Sequence, residues 1–204
     1  VLRKHLDHGL DHSFIDKYVT WEVTLPEIDS DVLKEKMKSY LENHLFGLPQ
    51  EVKERALEGW GYVDSIITEN LASVRHLKRY VNLTLPRYRE VYDKVNPADF
   101  FLLSLLQYRY LSIYNNLARQ MYIERNNGDS DPIYIIPTEL RQSLTDELPQ
   151  TALLLLQKMF LRYPPEYNRE DSRPPYKELK SIRSVIYFPH YFRYIEDKQA
   201  EQGS

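Results

Sequence analysis

Three cations stand where a helix would ordinarily carry acids. In "SVRHLKRYVN" (73–82), Ser73 is suited to cap a helix, and Val74, Leu77 and Val81 follow at helical spacing. Arg75, Lys78 and Arg79 occupy the first two turns, although the helix macrodipole favours negative side chains there. Spacings of three and four place the three cations on one sector of the helix. Two chemistries fit that sector. Long basic side chains can lie along a solvated surface or pair with acids such as Asp64 and Glu69. Alternatively the sector faces an anion, with the Arg75 guanidinium as a fork-shaped donor to a phosphate. Charge and spacing do not decide between them, and charge alone favours the solvated surface.

A second group with chemical potential is "KHLDHGLDH" near the N-terminus, where His5, His8 and His12 alternate with Asp7 and Asp11. His8 and His12 share a helical face and have the spacing of a metal-binding pair. Gly9 between them weakens that helix, and H-E-x-x-H is absent, so a solvated polar segment is the expectation and no metal site is assigned. A phosphate-cradling loop would need G-x-x-x-x-G-K-S/T; none of Gly9, Gly47, Gly59, Gly61, Gly128 and Gly203 starts one. G-x-G-x-x-G and G-x-S-x-G are also missing, so the chain carries neither a complete nucleotide site nor a recognisable triad, and no catalytic residue is assigned. "NLT" at Asn82 matches the glycosylation sequon without a secretory signal beside it, and "RPPYKE" reads as a plain loop.

Composition narrows the classes. The 204 residues carry a formal net charge of -3, which gives no overall pull towards nucleic acid or an anionic membrane. Hydrophobic residues make up 42% and charged residues 28%, a balance that supports a buried core. With no cysteine, disulfides, thiolate zinc sites and cysteine nucleophiles are excluded, which suits a reducing, cytoplasmic setting. The longest apolar patches, "FFLLSLL" and "ALLLLQKMF", fall short of the roughly 18 residues of a membrane helix. The chain starts at Val1 rather than Met, which predicts a piece of a longer protein. Its 17 tyrosines predict a helical domain whose core edges are built from Tyr.

The elements that position these groups are mostly helical. The one clear strand is "YVTWEVTLP" (18–26): Val19, Trp21, Val23 and Leu25 alternate with Thr20, Glu22 and Thr24 until Pro26 stops them. A lone strand needs partners. Behind it, Asp29 or Ser30 caps a helix with a stripe of Val32, Leu33, Met37, Tyr40, Leu41 and Leu45, stopped by Gly47. A short helix closes at Gly59 and Gly61, and the Ser73 helix runs to about Lys94 with a kink or break near Thr84, ahead of Pro86. Asn96, Pro97 and Asp99 start the strongest helix, which places Leu103, Leu106, Tyr110, Ile113, Leu117 and Met121 on one face and ends at "NNGDSD". "PIYIIP" reads as an extended segment, "PTELRQSL" and "DELPQTALLLLQKMFLRY" as helices, and a break is expected before Pro189 with a Tyr-Phe-rich helix after it. The fold class expected is mainly α: a bundle-like helical domain behind one N-terminal strand.

The order of these pieces resembles a known family. "FIDKYVTWEVTLP" resembles the segment that ends the ATPase core of KAP-type P-loop NTPases. "ASVRHLKRYVN" resembles their x-x-R-d-x-K-R-f-x-N motif, "VNPADFFLLSLLQYRYLSIYNNL" the helix behind it, and "YFPHYFRYI" a later element. Two positions depart: His76 stands where the family often has an acid, and "LQYRYLSIY" lacks the usual proline.

The resemblance implies that residues 1–26 are the remnant of a nucleotide-binding core, with 18–26 its last strand, and that 27–204 form the helical lid. It implies a role coupling nucleotide state to a partner in a prokaryotic ATPase. This part would not be hydrolytic by itself: the core with its Walker motifs would lie before Val1 as partner in cis, and ATP and magnesium would be cofactors of the longer protein. Arg75 becomes the candidate γ-phosphate sensor, with Lys78 and Arg79 beside it. A protein partner and membrane association of the parent fit such a family; nucleic acid is not indicated. The alternative from a different class is a helical interaction module with no nucleotide role, binding a protein through Tyr-rich faces.

Overall fold

A computed structural model describes residues 29–127, 132–160 and 179–192. The strand at 18–26, the histidine cluster and the boundary at residues 26–27 lie outside the described residues. The described chain is mainly helical: α1 (Ser30–His44), α2 (Gln50–Gly61), α3 (Asp64–Glu69), α4 (Val74–Val91), α5 (Pro97–Arg109), α6 (Leu111–Ala118), β1 (Glu124–Asn126), β2 (Ile133–Ile135), α7 (Thr138–Glu147), α8 (Gln150–Phe160) and α9 (Phe188–Tyr191).

Helix α5 is the axis of the fold. Seven successive residues, Phe100 to Leu106, include no charge, and six of them are apolar. A helix apolar on all sides must be enclosed, and α2, α4, α6 and α8 all pack on α5, burying every residue from Phe100 to Leu106. The start of α5 is specified locally: the Asn96 side chain accepts from the Asp99 amide at 3.3 Å and Pro97 sits in the first turn. Helix α1 starts the same way, with Asp29 accepting from the Asp31 amide at 3.0 Å, and presents Leu33, Met37 and Leu41 to α3 and α4. Gly47, at φ 85°, turns the chain out of α1.

Four expectations about elements are corrected. Helix α4 runs unbroken through Pro86. The carbonyl freed of its donor belongs to Asn82, and both residues are exposed, so water can satisfy what the helix cannot. The helix begun at Pro97 stops at Arg109, where Tyr110 (φ -140°, ψ 64°) breaks the ladder. The redirected α6 then carries Ile113, Tyr114 and Leu117 into the core, leaving Met121 57% exposed rather than on the apolar face. Gly59 does not close α2 but lies inside it, at its contact with α5. Finally, Glu124–Asn126, expected as a helix end, pairs antiparallel with Ile133–Ile135, Arg125 opposite Tyr134.

The C-terminal described segment is mostly turns. A bridge between Ile133 and Ser184 ties it to β2, and the short α9 begins at Phe188 with Pro189 inside its first turn rather than after a break. Tyr80, Tyr88, Tyr114 and Tyr191 are fully buried, while Tyr40, Tyr92, Tyr108, Tyr110, Tyr122 and Tyr187 pack partly buried at the core's edge.

Candidate functional site: the cationic start of α4

Ser73 is extended (φ -168°, ψ 162°), and its hydroxyl accepts from the His76 amide at 3.3 Å, which fixes where α4 begins. From that start, Leu77, Tyr80 and Val81 turn inward, and Arg75, Lys78 and Arg79 turn outward and are exposed. The inner face is anchored firmly. The Tyr80 hydroxyl donates to the Phe101 carbonyl of α5 at 2.9 Å, and burial pushes its ionisation far above the ordinary phenol range. The His76 ring stands edge-on to Tyr108 at 6.3 Å and so packs against α5.

Spacing alone groups Arg75, Lys78 and Arg79, and the structure keeps them on one exposed face of one helix. The pairing with Asp64 or Glu69 is not formed. Asp64 instead faces Lys34 at 3.9 Å and accepts from the Ser65 hydroxyl at 3.1 Å. Among the described residues, none of the three cations makes an ion pair or a side-chain hydrogen bond. Their charge is turned to solvent beside the first amides of the helix, an electrostatic arrangement that attracts anions.

A fourth cation escapes the sequence pattern. Because α4 and α5 run antiparallel, the end of α5 returns to the start of α4: Tyr108 meets His76 and Tyr80, and the Arg109 guanidinium donates to the Asn70 carbonyl at 2.8 Å, three residues before the Ser73 cap. Arg109 also lies over the Tyr110 ring, 5.9 Å from its centroid. The only signal in the sequence is an arginine in the last turn of the following helix, which gains meaning once the two helices are paired.

Among the described residues, no group of three His, Asp or Glu converges as a metal site would require. No helix among the described residues is long and apolar enough to cross a membrane. No family model, curated protein or solved structure matches the chain.

Proposed function

We propose that this chain is the end of the ATPase core and the helical lid of a KAP-like P-loop ATPase, coupling nucleotide state to a partner, with Arg75 as the residue that reaches the terminal phosphate. The observation that carries this reading is the exposed cation face at the capped start of α4, three basic side chains free of acids among the described residues. A buried helix face and a solvent-turned cation face are what a lid needs to hold its shape and close on an anion. Lys78 and Arg79 would raise the local potential, while Arg75, nearest the cap, would form the directed contact. ATP, magnesium and the core with its Walker motifs would belong to the longer protein, and the described helices would contribute no nucleophile.

The test is made on that longer protein. The coding sequence upstream of Val1 should contain G-x-x-x-x-G-K-S/T followed by an acidic Walker B strand; an upstream region with neither removes the proposal. Arg75→Ala should then lower ATP turnover on the order of 10²-fold, while changing stability by less than about 0.5 kcal/mol, as expected for an exposed side chain. Unchanged turnover would make the cluster a solvated surface only.

The second reading is a helical interaction module. Tyr62, 41% exposed, is the one tyrosine among the described residues that is open to solvent to that degree, and the feature that favours this reading most is Phe46, 78% exposed on the loop after α1. That loop is held in place by Arg89, whose guanidinium donates to the His44 and Phe46 carbonyls at 2.8 and 3.1 Å.

A further inference from the structure

Helices α1 and α4 pack side by side. Arg89 in the last turn of α4 donates to the carbonyls of His44 and Phe46, where α1 ends. Two helices packed along their length with the same ends together run parallel. Since α1 is 15 residues long, its start lies about 22 Å back along α4. An equal length of α4, counted back from Arg89, reaches the turn that holds Arg75 and Lys78. Lys78 and Arg75 stand about three and about four turns before Arg89, so both lie on the side of α4 from which Arg89 reaches α1. The position of α3 agrees. Its Asp64 faces Lys34 of α1 at 3.9 Å, and α3 leads through Asn70 to the Ser73 cap.

The chain before Asp29 therefore enters beside the cation face. Ile28 precedes the Asp29 cap by one residue, and Leu33, the fourth residue after the cap, is buried. An apolar pair at these two positions makes a hydrophobic staple, which folds the incoming chain against the helix. Leu33 faces α3 and α4, so a staple here turns the chain toward α4. Glu27 is two residues from Asp29, at most about 7 Å of chain. Packed helix axes lie about 8–10 Å apart, a gap that a glutamate on one side and an arginine or lysine on the other close between them. Glu22 and Glu27 are the only charged residues in 18–28. The described acids at this end are engaged elsewhere: Asp29 accepts from the Asp31 amide, Asp31 faces Lys34 at 3.7 Å, and Asp64 shares that lysine.

We propose that the cation face at the start of α4 is a docking surface for the chain's own residues 18–28, with Ile28 closed on Leu33 and Glu27 paired with Arg75 and Lys78. Exposed ion pairs contribute little one at a time. Covalent linkage raises the effective concentration of this acid to the millimolar range, and the staple fixes its direction of entry. Tether and staple together turn a weak pair into an occupied one. The contact stands apart from the nucleotide reading. A phosphate at Arg75 would displace Glu27 from that side chain and leave Lys78 to hold it.

The test is carbodiimide crosslinking of the full chain, which joins a carboxylate to a lysine amine in direct contact, read by mass spectrometry of the peptides. Glu27 should couple to Lys78, and in Arg75→Lys to position 75 as well. Yield should fall several-fold at about 1 M salt, where the Debye length is about 3 Å. Ile28→Ser, which opens the staple, should lower it too. The reversed pair, Glu27→Lys with Lys78→Glu, should couple as the wild type does. Glu27 coupled only to Lys34 or Lys36 of α1, or to no lysine, would overturn the proposal. So would coupling between isotope-labelled and unlabelled copies in a mixture, which would give the face to a second copy of the chain. An upstream sequence without Walker motifs would remove the nucleotide reading and leave the Glu27 coupling as expected here.

Discussion

At the scale of single residues, the least conspicuous one near the core sets the tightest constraint. Gly59 lies inside α2, where glycine costs about 1 kcal/mol relative to alanine. A Cβ there would stand 2.6 Å from Pro97 Cβ and 3.0 Å from the Ala98 amide nitrogen, neither of which is the free end of a flexible side chain. The two effects oppose each other in Gly59→Ala: about 1 kcal/mol gained in helix propensity against about 1–3 kcal/mol for overpacking at a helix contact. Overpacking should win, because α5 is held on its other sides by α4, α6 and α8 and has nowhere to move. The variant should lose about 1 kcal/mol in urea unfolding; a gain would mean that α2 and α5 slide apart at little cost. From sequence this glycine reads as a helix stop, since the missing Cβ gives the same signal in a turn and at a close approach.

At the scale of elements, what is legible in the sequence is what neighbours along the chain decide. Asp29, Ser73 and Asn96 read as caps, and each cap bond spans two or three residues. What is not legible is decided across the fold. Tyr110 ends α5 because the next helix must turn to bury Ile113, Tyr114 and Leu117; the periodicity alone runs straight on. The contacts of the Asp99 carboxylate with the Ser181 hydroxyl and the Ile182 amide join residues 82 and 83 apart, beyond any window of local pattern. Pro86 shows the converse error, where a strong local rule gives way to tertiary context. Leu85 and Tyr88 are fully buried beside it, and this packing keeps the helix continuous through a residue that disfavours it. Pro86→Ala should therefore stabilise. It restores a donor to the Asn82 carbonyl and relieves Leu85, a gain of up to about 3 kcal/mol, against about 0.4–1 kcal/mol lost because the unfolded chain becomes freer. A net rise of about 1–2 kcal/mol should appear as a higher thermal midpoint. An unchanged midpoint would show that α4 already absorbs the proline without strain.

At the scale of the molecule, one helix makes the described elements a single unfolding unit. Phe101 sits at the middle of α5 with its ring edge-on to Trp60 of α2 at 6.2 Å and 5.5 Å from Tyr88 of α4, while its carbonyl receives the Tyr80 hydroxyl. Phe101→Ala leaves that backbone bond in place and removes only the ring, at a cost of about 3–5 kcal/mol for a truncated buried phenylalanine. A domain of this size holds roughly 5–15 kcal/mol in total, so the variant should sit near the edge of folding. Leu154→Ala on α8, a partly exposed position, should cost far less and serves as the comparison. If α5 couples the helices on all its sides, the loss cannot stay local to α2 and α4. Unfolding followed by far-ultraviolet circular dichroism, which reports every helix, and by tryptophan fluorescence, which includes Trp60, should shift together to the same lower midpoint. A fluorescence transition that moves while the dichroism transition stays would instead divide the bundle, with α2 and α4 separable from α8 and residues 179–192.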